Sequence, residues 1–235
     1  MKKLLLLYFI LPWCLMLQAA PNSAQTSGAR IRERMVDAFG GQRAIDKIKY
    51  LQYSILKTSY REDTVITTRT DYKLDLKQHS ATATTNSNNE TIIKKIGPDG
   101  AWLIQNGQKQ QLPDKDKQEL EAIFFNNFLL MLQNKKLRFE HVMESSYKGR
   151  DADVVRVTSP ENPEHTLDLF VAKDNGQVLT SSKAQPGNAL NYPYYADELE
   201  YKPINRKINF PMVYQVFANG NMVTEGRFVN MKLKD

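Results

Sequence analysis

Side chains that could bind a metal, carry a proton or attack a substrate are scattered along this sequence rather than grouped. The three histidines, His79, His141 and His165, lie far apart. No two of them stand four residues apart, the spacing that sets two imidazoles on one helical face for a metal. Each falls in a strand-like or loop stretch, so no metal site is assigned. The single cysteine is Cys14. Neither a G-x-S-x-G elbow nor a Walker-type phosphate loop is present. Carboxylates do occur in pairs, Asp151 with Asp153 and Asp197 with Glu198 and Glu200, and two carboxylates are enough for a hydrolase. Asp151 and Asp153, however, flank a turn in "KGRDADVV", where aspartate serves the backbone. Glu198 and Glu200 are expected to share one strand face turned to solvent or to a cross-strand lysine. The sequence therefore yields no catalytic residue and no cofactor, and an enzyme is not expected.

The elements around these residues suit a single large domain in a chain of 235 residues. "MKK" followed by "LLLLYFILPWCLMLQAA" has the basic start, apolar run and small residues of an export signal. Residues 1–20 are read as that signal, with cleavage between Ala19 and Ala24 and an uncleaved anchor as the alternative. Cys14 falls inside it, and "LPW" before Cys14 lacks the small residues of lipoprotein processing. Residues 21–28 form a polar linker, and 29–235 form the domain. Removing Lys2 and Lys3 lowers the formal charge from +6 to about +4, and basic positions alternate with acidic ones. This pattern gives no support for nucleic-acid binding. After cleavage no cysteine remains to form a disulfide, so stability must come from the core.

Ile31, Met35, Val36 and Phe39 recur at helical spacing until Gly40 and Gly41, and a shorter helical turn carries Ala44, Ile45 and Ile48. From Tyr50 the pattern changes to period two, in "LQYSILKTSY", "VITTRTDYKLDLKQ", "TIIKKI" and "AWLIQ". Asp99-Gly100, Asn106-Gly107, Asn175-Gly176 and Asn219-Gly220 supply hairpin turns, so neighbouring strands should pair antiparallel. "TATTNSNNET" is polar and reads as a loop or frayed strand end. Seven further strand-like runs follow a helix that opens at Pro113. The total is about 10 to 11 strands, and a sheet of that size must curl, leaving a concave face for the helices to fill.

The helix that follows Pro113 contains "EAIFFNNFLLMLQ" and is the apolar exception in a polar chain. Its apolar side chains cover roughly 260° of the helix circumference, wider than the stripe of a surface helix. It either plugs the core or lines a cavity for an apolar ligand. The candidate lining residues are Ile123, Phe124, Phe125, Phe128, Leu129, Met131 and Leu132. Tyr192, Tyr194, Tyr195 and Tyr201 are ordinary strand tyrosines or the rim of such a cavity.

The order of these segments resembles the LolA/LolB-like superfamily of periplasmic proteins, which includes lipoprotein carriers. The segments that carry the resemblance are "MVDAFGGQRAIDKIKYLQYSI", "GPDGAWLIQNGQ", "TLDLFVAKDNGQVLTSSKAQ" and "DELEYKPINRKINFPMVYQVFANGNMVTEGRFVNMKL". The last is the most specific, with an acidic strand, a polar turn, "FP" opening the next strand, an NG hairpin and a final strand. The resemblance implies an α+β fold, a half-open, curved antiparallel β-barrel with helices covering or plugging its concave face. It also implies a periplasmic, monomeric binding protein for a lipid or lipoprotein acyl chain, working beside a membrane-associated protein partner. The arginine that holds the helical lid in the lipoprotein carrier has no local motif here that would assign it to Lys57, Arg61 or Arg69. The alternative from another class is an envelope interaction or sensing module with a filled core and no ligand.

Overall fold

A computed structural model describes residues 23–87, 90–183, 192–205 and 207–235. The expected export signal lies outside them. The chain opens with helices α1 (Ser23–Ala38) and α2 (Gln42–Asp46). Six strands follow: β1 (Tyr50–Arg61), β2 (Thr64–Asp75), β3 (Ser80–Ser87), β4 (Glu90–Gly97), β5 (Gly100–Gln105) and β6 (Gln108–Gln111). Helices α3 (Asp114–Asn126) and α4 (Phe128–Gln133) come next. Seven strands complete the fold: β7 (Arg138–Tyr147), β8 (Arg150–Thr158), β9 (Thr166–Ala172), β10 (Val178–Lys183), β11 (Tyr194–Ile204), β12 (Ile208–Ala218) and β13 (Asn221–Lys234). Helix α1 starts at Ser23, inside the stretch that composition reads as a linker.

All the strands belong to one curved, unclosed antiparallel sheet of order β6-β5-β4-β3-β2-β1-β13-β12-β11-β10-β9-β8-β7. Two meanders run outward from the centre, where the first and last strands pair, for example Leu51 with Leu233 and Ile55 with Phe228. The sheet has thirteen strands, not ten or eleven. One addition is β3, whose inward positions are Ala81 and Ala83, 1% and 6% exposed. Alanines give little hydrophobic contrast against threonine, so the period-two pattern is faint there. The other is β6, "QKQQ", wholly exposed at the sheet edge, where polar side chains discourage further strand pairing.

The hairpins follow the Asn-Gly signals. Asn106 and Gly107 have φ of 51° and 78°, and Asn219 and Gly220 have 49° and 80°. Each pair forms a two-residue loop between paired strand ends, the geometry of a type I′ turn. The turn from β7 to β8 is of the same kind, but Lys148 occupies its first position at φ 51° before Gly149. This is the turn expected in "KGRDADVV", but it closes at Lys148-Gly149, so Asp151 and Asp153 fall inside β8 and not beside the turn.

The apolar helix is two helices. Asn127 breaks it with an extended backbone (φ −80°, ψ 118°), and its side-chain oxygen accepts from the Leu129 and Leu130 amides at 3.1 and 3.4 Å. An N-cap asparagine is one of the side chains best suited to satisfying the free amides of a new helix. The break lets α3 and α4 serve two cores. Leu120 and Leu130 pack with Leu51, Tyr53, Leu74 and the β3 alanines. Phe128, Leu129, Met131 and Leu132 pack with α1 and with the inner faces of β8, β9 and β12. The ends are pinned by polar contacts. Lys94 of β4 binds Asp116 near the start of α3 at 2.6 Å, the Arg32 guanidinium of α1 donates to the Leu132 carbonyl, and the Gln133 amide donates to the Ile45 and Ile48 carbonyls at 3.2 and 2.9 Å.

Helix α1 lies on β7 with almost no clearance. A Cβ at Gly28 would sit 2.1 Å from the Phe139 carbonyl oxygen. Gly28→Ala therefore sets two effects against each other. Helix propensity favours alanine by about 1 kcal/mol, whereas displacing α1 from a packed strand costs about 1–3 kcal/mol. The clash involves backbone, which cannot swing away, so the net outcome expected is destabilisation by about 1 kcal/mol or more in urea titrations of Gly28→Ala. A gain in stability would show that α1 is held less closely than the geometry states.

Candidate functional site

Between the two cores the concave face is left partly uncovered. A half-open groove of about 460 Å³ runs there, lined on the sheet side by Tyr53, Ile55, Phe210, Tyr214, Val216 and Phe228 and on the helix side by Ile123, Asn127 and Phe128. Its far end is formed by Leu167, by Ser181, Ser182 and Lys183 of β10, and by Tyr194, Ala196 and Glu198 of β11. The volume falls within the range of sites that take small organic ligands. Aromatic rings form the walls. Phe228 stands edge-on to Tyr53 at 5.3 Å and to Phe210 at 5.2 Å.

The wall at β12 and β13 depends on a glycine. Tyr214 is paired directly with Gly226, and a Cβ at Gly226 would lie 2.0 Å from the Tyr214 Cζ. The absent side chain lets the phenol lie down against the sheet and keeps the groove open. Burial, foremost, pushes the Tyr214 hydroxyl up to about 12, so at neutral pH it is an uncharged phenol.

The seven candidate residues of the apolar helices divide. Ile123 and Phe128 line the groove. Phe124 stacks on His79 at 4.1 Å, and Phe125 stacks on His165 at 5.2 Å. Leu129, Met131 and Leu132 are 0% exposed within the core. Of the four tyrosines, Tyr194 and Tyr195 reach the groove. Tyr192 donates to Asp168 at 2.9 Å, and Tyr201 is occupied with the Val178 backbone at 2.9 and 3.0 Å. Sequence reasoning had no signal for Tyr53, Tyr214, Phe210 or Phe228, because what places them at one groove is the pairing of distant strands.

The carboxylates stand elsewhere than the sequence suggests. Asp153 belongs to no turn; it is 6% exposed in β8, accepts from Arg34 of α1 and has His141 at 3.4 Å and Lys173 at 3.9 Å. Asp168 is 1% exposed and receives both ends of the Arg156 guanidinium at 2.8 and 2.9 Å. Asp197, also 1% exposed, accepts from the Tyr147 hydroxyl and from Lys148 at 2.6 Å. Buried carboxylates require such partners. Glu198 and Glu200, expected to face solvent together, separate. Glu200 has φ 51° and is exposed, bound to Lys202 and Arg227 at 2.9 and 3.2 Å. Glu198 lines the groove. Among the described residues no group of histidine, cysteine, aspartate and glutamate has the arrangement of a metal site, and no helix is long and apolar enough to cross a membrane.

This combination, an open antiparallel sheet curled round helices that leave an apolar groove, defines a half-barrel class of fold. No known sequence family matches the chain, and no curated protein matches it in sequence. Solved structures do. A LolA superfamily protein from Nitrosomonas europaea is 12% identical with a TM-score of 0.60, covering 88% of this chain and 94% of its own. An outer membrane lipoprotein-sorting protein domain from Vibrio parahaemolyticus is 12% identical with a TM-score of 0.59, covering 89% and 93%. A DUF1329 family protein from Desulfovibrio piger is 10% identical at 0.59, covering 90% and 94%. The chain has the fold of the LolA/LolB-like superfamily. Identity this low establishes the fold alone.

Burial holds the Glu198 carboxyl well above its ordinary value, at about 8. From about pH 4.5 to 8 the folded chain keeps a proton that the unfolded chain has released, so this group's contribution to stability declines as pH rises through that window. Glu198→Gln should match the native chain in unfolding midpoint near pH 4.5 and exceed it at pH 8.5. Equal midpoints at both pH values would contradict the environment described. Removing the Asn127 cap should lower stability by about 1 kcal/mol in Asn127→Ala, read from urea midpoints, with the far-ultraviolet helical signal reduced.

Proposed function

We propose that this chain binds the apolar part of a lipid or acyl chain in the groove between its curved sheet and helices α3 and α4, and that it carries or senses that ligand in the periplasm after export. The observation that supports the reading is the groove itself: about 460 Å³ bounded by Tyr53, Ile55, Ile123, Phe128, Phe210 and Phe228, open on one side and lying between two packed cores. A filled core would favour the interaction module instead. Covering apolar walls with a guest's methylenes stabilises the complex by about 25 cal/mol for each Å² withdrawn from water. The sorting role named for the Vibrio parahaemolyticus domain, which shares this fold, is consistent with an acyl guest. Ile123 and Phe128 are the members of the apolar helices that would touch it, while Leu129, Met131 and Leu132 would support them from behind.

The test is direct. Protein purified from the periplasm should yield co-purifying lipid on organic extraction, and the neutral dye N-phenyl-1-naphthylamine should fluoresce on binding it. Ile123→Trp, which fills the groove from the helix side, should weaken dye binding about tenfold or more while leaving the thermal midpoint within a few degrees. Absence of dye binding and of extractable lipid in the native chain would refute the reading.

A further inference from the structure

The groove is not uniformly apolar, and its polar end has an unusual composition. The fully buried carboxylates described above each have a cation at hand: Asp153 has Arg34, Asp168 has Arg156 and Asp197 has Lys148; Glu198 is half-buried in the groove wall. Glu198 forms no ion pair among the described residues. Its hydrogen bond from them comes from the Ser181 hydroxyl at 3.3 Å, a long contact for an O–H donor. Around it the groove presents phenol rings, those of Tyr53, Tyr194 and Tyr214, with Tyr214 directly opposite Glu198 in the strand register.

A carboxyl without a counter-ion beside several aromatic faces is the chemistry that recognises an ammonium group. The carboxylate supplies the charge, and the ring faces attract a desolvated cation through their quadrupoles. We infer that the groove selects an amphiphile with a cationic amine head, with Glu198 as the residue that sets this specificity. The inference rests on the reading of the groove as an apolar-chain site and names the head group that such a chain would carry.

The surrounding charges are consistent with this preference. Glu119 of α3 adds a second negative group to the lining. Lys183 of β10 is the basic residue among the lining side chains, exposed at the strand end and without an ion pair to Glu198. Asp197, the neighbour on β11, is neutralised by Lys148, and Tyr201 on the same strand is held by the Val178 backbone. Among the described residues, Glu198 is thus a groove carboxyl whose counter-ion is left for a ligand to supply.

In the empty groove burial keeps Glu198 protonated up to about pH 8. An arriving ammonium makes the carboxylate the favoured form, so binding at neutral pH must expel a proton. Affinity for an amine should then rise by up to about tenfold per pH unit between pH 6 and 7.5, where the amine itself stays charged.

Titration calorimetry with dodecylamine, dodecanol and dodecanoate at pH 7 distinguishes the possibilities. Dodecylamine should bind the native chain at least tenfold more tightly than either of the others, and in buffers of different ionisation enthalpy it should release close to one proton. Glu198→Gln should abolish that release and bring dodecylamine to the affinity of dodecanol. Equal affinities for the three, tightest binding of dodecanoate, or an amine preference that survives Glu198→Gln would each overturn the inference while leaving the apolar-chain reading intact. Failure of all three probes to bind the native chain would overturn both. Proton release is read on the native chain, so the inference remains falsifiable even if Glu198→Gln folds poorly.

Discussion

The pairing of β1 with β13 is the contact on which the rest of this structure depends. It joins two meanders that run in opposite directions, and it thereby places β6 and β7 at the two free edges of the sheet. These strands are consecutive except for α3 and α4 between them. The connection must therefore cross from one edge of the curled sheet to the other, over its concave face. An ordinary polar loop in that position would bury backbone groups without partners. A helix satisfies its own, and an apolar one also covers the sheet beneath it. The composition of "EAIFFNNFLLMLQ" follows from that crossing.

A single straight helix would not serve a curved surface equally well at both ends. The break at Asn127 changes direction in mid-crossing, and the same side chain that ends α3 caps α4. One consequence is two cores in place of one, the first gathered on β1 to β5 and the second on α1 and the β8, β9 and β12 side. The other is the gap between them. The groove is the space left between the two packed cores, and its walls are held by helix on one side and sheet on the other, with aromatic residues of the central strands as its floor. Such preformed walls lower the ordering cost of taking a guest.

Charge is distributed on a similar plan. Buried aspartates on β8, β9 and β11 are tied to basic side chains from α1, from β8 and from the β7–β8 turn respectively, and the first of these pairs fastens α1 to the sheet. Glu198 departs from that arrangement in the groove wall, which is why a stability consideration and a binding consideration meet in the same residue.

Much of the fold is legible in the chain itself. Period-two runs mark eleven strands, glycine after asparagine marks some of the hairpins, and the spacing of Ile31, Met35 and Phe39 marks α1, because these depend on local backbone preferences and on which face of an element is apolar. β3 and β6 escaped since small and polar strands carry little of that signal. The width of the apolar arc located the helical cover but not its interruption, because an asparagine in an apolar run becomes a cap only when the helix has a reason to turn. The lining of the groove, the partners of Asp153, Asp168 and Asp197, and the want of a cationic one for Glu198 among the described residues were decided by tertiary structure alone. Each depends on which distant strands become neighbours, and spacing along the chain holds no record of that.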